Sequence, residues 1–260
     1  MNTKIFALLL SGIFCVLLPV GLLLWWRKKS GAALLPALWG AVTFLLFSQG
    51  FEGVLHYFCL VRDHAVSRAI FSHPLLYMLY GSFAAGIFEE CGRFVMFRTV
   101  LRRDRRRESA VMAGIGHGGA EAILVVGASL ILYFVAAVQY HYGGVDAVAA
   151  FIGSEDAVQG VLHTLSSYTP WVCLMSILER LSAILIHISL SVYVFISAHE
   201  PRKRWYLALA IGLHALFDMP VALFQRGVLQ DMWLLELWLL VFAVYLLRSA
   251  RKRYLEQCPY

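Results

Sequence analysis

Runs of apolar residues, broken by short polar clusters, divide the chain into seven segments of about 18 to 25 residues, each able to cross a hydrocarbon core of roughly 30 Å. They fall at approximately Ile5 to Trp26, Ala33 to Leu55, Pro74 to Arg98, Val111 to Val138, Trp171 to Ser197, Trp205 to Phe224 and Met232 to Leu247. The pattern predicts an all-α fold, a polytopic transmembrane bundle of about seven helices forming one membrane domain over residues 1–260. The helices between about residues 74 and 224 carry the candidate chemistry. The longest connection, His141 to Pro170, mixes Asp146, Glu155 and Asp156 with Val145, Val148, Phe151, Ile152, Val158, Val161 and Leu162. That mixture predicts a short amphipathic helix on the outer surface.

Composition agrees: 60% of the residues are hydrophobic and 15% charged, which excludes an ordinary soluble globule. Charge adds orientation. Arg27 to Lys29, Arg102 to Arg107, Arg202 to Arg204 and Arg248 to Arg253 make every second connection basic. Cytoplasmic loops carry such an excess, so the N-terminus is predicted outside and the C-terminus in the cytoplasm, in a multi-pass cell-membrane protein. The net charge of +6 is accounted for by these flanks, without base-stacking aromatics between them, so no nucleic-acid partner is expected. The first segment is too long for a secretory signal and reads as a retained anchor. Five scattered cysteines, Cys15, Cys59, Cys91, Cys173 and Cys258, give no metal knuckle or disulfide framework.

Ionisable residues inside lipid are costly and tend to face the protein interior in a functional role. Here they cluster. GIFEECGRF in the third segment puts Glu89 and Glu90 four and three residues before Arg93, so Arg93 can pair with one carboxylate and leave the other free. GIGHGGAEAI in the fourth places His117 and Glu121 on one face, with Gly118 and Gly119 opening space for another backbone or an extended substrate. In the fifth, ERLSAILIHISLS puts Glu179 and Arg180 in the outer half and His187 two turns deeper. In the sixth, GLHALFDMP sets Asp218 one turn from His214, where it can orient the ring.

Counting about 1.5 Å per residue from the cytoplasmic ends puts His117 roughly 10 Å deep, Glu90 about 12, Glu89 and His214 about 14, His187 about 15 and Glu121 about 15 to 16. These residues are therefore predicted to share one layer around a cavity open to the cytoplasm. Glu52, His56 and Glu236 fall outside it and read as structural. A Glu and a His can activate water, and a further His can donate to an oxyanion, which suffices for peptide hydrolysis.

At these residues the chain resembles the YhfC family of intramembrane proteases, related to PrsW and the CAAX prenyl endopeptidase (CPBP) clan. EECGR (Glu89 to Arg93) resembles the EExxK element with Arg for Lys, HGGAE (His117 to Glu121) the FxxxE element with His for Phe, and HALFD (His214 to Asp218) the HxxxD element. The resemblance covers about half the chain. It implies that Glu89 with His117 activates water, that His214 and Asp218 hold the oxyanion or carbonyl, and that Glu90 and Arg93 orient the site. Because the CAAX enzymes space their motif as EExxxR, the roles of Glu89 and Glu90 stay interchangeable. With no HExxH in the chain, the expectation is a metal-free glutamate mechanism, zinc on His117, His187 and His214 being the alternative. The expected partners are the bilayer and a membrane-anchored protein or peptide substrate. A proton- or metal-coupled transporter would gather the same residue types, but neither an inverted repeat nor paired broken helices are visible. A non-catalytic scaffold is the third reading.

Overall fold

A chain crossing lipid must satisfy its backbone N–H and C=O groups internally, and the apolar runs do so as helices. A computed structural model describes residues 3–256; Cys258 lies outside the described residues. Among the described residues there are nine helices, one short 3-10 turn at Pro201–Lys203, and no strand. They are α1 (Thr3–Ser30), α2 (Leu35–Val61), α3 (Ala65–Ser72), α4 (Pro74–Arg98), α5 (Arg107–Ile152), α6 (Glu155–Ser167), α7 (Pro170–His199), α8 (Trp205–Gln225) and α9 (Met232–Glu256).

Six helices are long and apolar enough to cross a membrane alone. The pair α3 and α4, which meet at 110°, passes the same test only when taken together and is a seventh candidate span. Pro74 forces His73 out of the helical region, to φ −133° and ψ 114°, and that residue makes the bend. Local chemistry sets the other ends as well. Lys and Arg in the last turn of α1 complement its C-terminal dipole, and Gly31 follows at φ 69°.

Two helices depart from the sequence expectation. The fourth was predicted to end near Val138, yet α5 runs 46 residues to Ile152. No proline interrupts it; it bends at Gly144, whose φ of 65° breaks the helical path, and it stops at the left-handed Gly153. The amphipathic segment is therefore divided between the end of α5 and α6. The second was predicted to end at Leu55, but α2 continues to Val61 and is π-helical over Phe44–Glu52 and Tyr57–Val61. A further π stretch, Ala122–Gly127, follows Glu121 in α5.

α7 is the axis of the bundle. Of its most apolar stretch 83% is buried, against 28% or less in the other long spans. Around it pack α1, α4, α5, α8 and α9. Glycines in α5 allow the closest approaches. A Cβ on Gly116 would lie 2.0 Å from the Ala37 carbonyl oxygen of α2, one on Gly114 2.5 Å from Cα of Ile188 in α7, and one on Gly119 2.7 Å from Pro19 in α1. The space beside His117 is thus filled by three neighbouring helices, and the glycines serve helix packing.

Candidate active site

The centre of the polar layer is one carboxylate. Glu89, on the face of α4 turned toward α7 and α8, is 5% exposed. Its Oε2 lies 2.9 Å from His117 Nε2, 3.8 Å from His187 Nδ1, 3.9 Å from His214 Nε2 and 3.2 Å from Arg93 Nη2. Glu90, fully buried, accepts at Oε1 from Arg93 Nη1 and from His214 Nδ1 at 2.6 Å. The sequence leaves one carboxylate free of Arg93. Instead the guanidinium holds both, because its forked nitrogens reach the preceding positions three and four residues back together.

Hydrogen-bond direction fixes one ring. Arginine only donates, so His187 Nδ1 accepts from Arg93 Nη2 at 2.6 Å, and Nε2 donates to Glu121. Glu121 also accepts from Arg180 Nη1 at 2.7 Å, and Arg180 is in turn gripped by Glu179. His214, anchored through Nδ1, directs Nε2 at Glu89 and at Asp218, 3.4 Å away. All eight nominated residues, Glu89, Glu90, Arg93, His117, Glu121, His187, His214 and Asp218, belong to this one network.

Five residues outside the nominated set, Glu179, Arg180, Glu52, His56 and Tyr80, also join or border it. Arg180 closes the network through Glu121. Glu52 is 5% exposed rather than solvated at the interface. Its Oε1 lies 3.1 Å from His56 Nε2, whose Nδ1 is 2.9 Å from the Tyr80 hydroxyl. The missed signal was the four-residue Glu52–His56 spacing, discounted because the helix was ended too early. Glu236, read as structural, is buried in α9.

A cavity of about 280 Å³ adjoins the network. Glu89, Glu121, His187, His214 and Asp218 line its inner part, while Tyr77 and Gln225 line the end near the start of α4 and the close of α8. It therefore runs away from the basic connections. Depth counting places side chains in a layer but does not reveal where the void lies. On the basic side the layer is plugged by Met96, Phe97, Leu190 and Phe195. Glu90 is absent from the lining; of the adjacent pair, Glu89 meets the cavity.

Among the described residues, Glu89, His117 and His187 offer ligand atoms that all lie within 4.8 Å of one another. One carboxylate and two imidazoles are a donor set that suits a catalytic divalent metal such as zinc. His117 Nδ1 is buried with no hydrogen-bond partner. The donor types fit such an ion, with the His187 Nδ1 lone pair engaged by Arg93 in this structure. Glu89, rather than the nominated His214, completes this group, since His214 is turned to Glu90.

The chain is thus a multi-pass helical membrane protein in which a buried carboxylate ringed by imidazoles stands beside a cavity. The chain belongs to the YhfC intramembrane metalloprotease family, which matches residues 14–239. It is 36% identical over 248 residues to a Bacillus subtilis (strain 168) protein described as the uncharacterized membrane protein YhfC, covering 94% of this chain and 95% of that protein. No solved structure matches.

Proposed function

We propose that the chain hydrolyses a peptide bond of a membrane-associated protein or peptide at Glu89, with the scissile bond presented through the cavity. The observation that carries this reading is the placement of three imidazole nitrogens 2.9, 3.8 and 3.9 Å from one Glu89 oxygen, on a residue that also lines the cavity. His214 offers Nε2 to the oxyanion, and Glu90 fixes its ring from the other side. Arg93, held by both carboxylates, keeps Glu89 in position.

A divalent metal, as the family description names, would be held by Glu89, His117 and His187. When bound, it would polarise the scissile carbonyl and acidify a water. The His187 tautomer is set by Glu121, which leaves Nδ1 with its lone pair toward the centre. The metal-free reading is favoured by one observation, the Arg93 nitrogen 2.6 Å from that same lone pair. There, Glu89 with His117 takes the proton of the attacking water.

The deciding experiment uses purified protein in detergent with membrane-anchored peptides, wild type against Glu89→Gln, His117→Ala and His187→Ala, with and without a chelator, and with metal content measured by mass spectrometry. Bound metal lost in both His variants, with chelator-sensitive cleavage, is the expected result. Cleavage that depends on Glu89 but survives chelation leaves the metal-free chemistry. No cleavage by the wild type of any peptide removes the peptidase reading.

A further inference from the structure

The cavity wall is rich in carboxylates and poor in permanent cations. Among the described residues it includes five carboxylates, Glu52, Glu89, Glu121, Glu179 and Asp218, and one permanent cation, Arg180. Arg180 is already engaged by Glu179 and Glu121. Glu89 has the imidazoles and Arg93. The carboxylates of the outer part, Glu52 and Asp218, have only histidines beside them, His56 at 3.1 Å and His214 at 3.4 Å.

Glu52 shows what is lacking. A carboxylate only accepts, so His56 Nε2 carries the hydrogen that faces Oε1, and its Nδ1 lies 2.9 Å from the Tyr80 hydroxyl. That contact engages one oxygen, and Glu52 Oε2 is buried with no hydrogen-bond partner. A buried oxygen of that kind calls for a donor brought from elsewhere. A ligand that supplied both a donor and a positive charge would also suit a wall of five carboxylates and one permanent cation.

We infer that the outer part of the cavity is a recognition subsite for a protonated amine of the substrate, with Glu52 as its anchor and Asp218 sharing the wall. The amine comes from a lysine side chain or from a free N-terminus. The inference rests on the peptidase reading, and it adds a preference for a cationic group on the outer side of the cleaved bond. Glu52 touches none of the hydrolytic residues and acts in recognition.

The test uses full-length protein in detergent and three apolar ten-residue amidated peptides. One is acetylated with a single lysine, one is acetylated with norleucine in its place, and one carries norleucine and a free N-terminus. Binding is read by thermophoresis and cleavage by mass spectrometry. At least one amine-bearing peptide is expected to bind about tenfold tighter than the acetylated norleucine peptide, and to lose that advantage in Glu52→Gln but not in Gly21→Ala; whichever arm binds identifies the source of the amine. Equal binding of all three by the wild type, which needs no variant, overturns the subsite, as does an advantage that survives Glu52→Gln. Amine-dependent binding without cleavage leaves the subsite standing and removes the peptidase; equal binding with cleavage does the reverse.

Discussion

Glu89 and Glu90 are neighbours in sequence with opposite environments, and the difference separates chemistry from stability. Glu89 lines the cavity, whereas Glu90 is fully buried between Arg93 and His214. Glu89→Gln leaves Arg93 paired with Glu90, so we expect peptide cleavage to fall by about 10²- to 10⁴-fold, the range for loss of a general acid–base group, with little change in melting temperature. Glu90→Gln removes the better-buried partner, and breaking such a pair costs about 3 to 5 kcal/mol. It should lower the melting temperature clearly, measured by intrinsic fluorescence in detergent. Equal destabilisation by the two substitutions would contradict this division.

Outside the membrane spans, Asp104 sits in the basic connection before α5. Burial opposes its ionisation, but hydrogen bonds from Arg106 and from Ser109 Oγ at 2.7 Å outweigh this and hold the carboxyl below its ordinary value. A carboxyl depressed on folding contributes stability above its unfolded pKa and loses it as pH falls through the folded one. Wild type should therefore out-melt Asp104→Asn at neutral pH, and the gap should close in the acid range below the ordinary carboxylate value. A pH-independent gap would remove the charge from the explanation.

At the element scale, the approach of α2 to α5 is set by Gly116 and Gly40. Their added Cβ atoms would stand 2.0 Å from the Ala37 and 2.2 Å from the Ala113 carbonyl oxygens. Backbone atoms cannot rotate aside, so Gly116→Ala must push α2 away and tilt His117 with it. Overpacking of this kind costs typically 1 to 3 kcal/mol, and we expect reduced thermal stability together with weakened metal retention or cleavage. Gly21→Ala, with nothing within 4 Å, is the matched control and should be silent in both assays.

The same elements explain what the sequence makes legible. Glu89, His117, His187 and His214 could be assigned to one layer because their helices are regular near those residues and four-residue spacing fixes a face. The partners of α2 could not. Two π-helical stretches change its phase, and its end lies at Val61 rather than Leu55, so Glu52 stands well inside the span. π segments are frequent at functional sites, and here all three adjoin cavity residues, Glu52, Leu60 and Glu121. No periodicity in the apolar pattern announces them.

At the scale of the whole molecule, the cavity direction and the charge of the connections make one joint statement. The positive-inside rule predicts Arg105 on the cytoplasmic side, and Gln225, exposed at the far end of the cavity, would then belong to the opposite face. The hydrolytic layer would then be reached from outside, or laterally from the outer leaflet, and the apolar plug of Met96, Phe97, Leu190 and Phe195 would seal it from the cytoplasm. With the native cysteines replaced, Gln225→Cys should react with a membrane-impermeant maleimide on intact cells, and Arg105→Cys only after permeabilisation. Blocking Gln225→Cys with a bulky maleimide should also slow cleavage, because the label stands at the cavity mouth. The reverse labelling pattern would invert the protein and turn the same cavity toward the cytoplasm. Correct labelling without an effect on cleavage would keep the orientation but require another entrance, for which a lateral path between α4 and α8 is closed by their close packing at Gly86, where a Cβ would lie 2.8 Å from the Ile211 carbonyl oxygen.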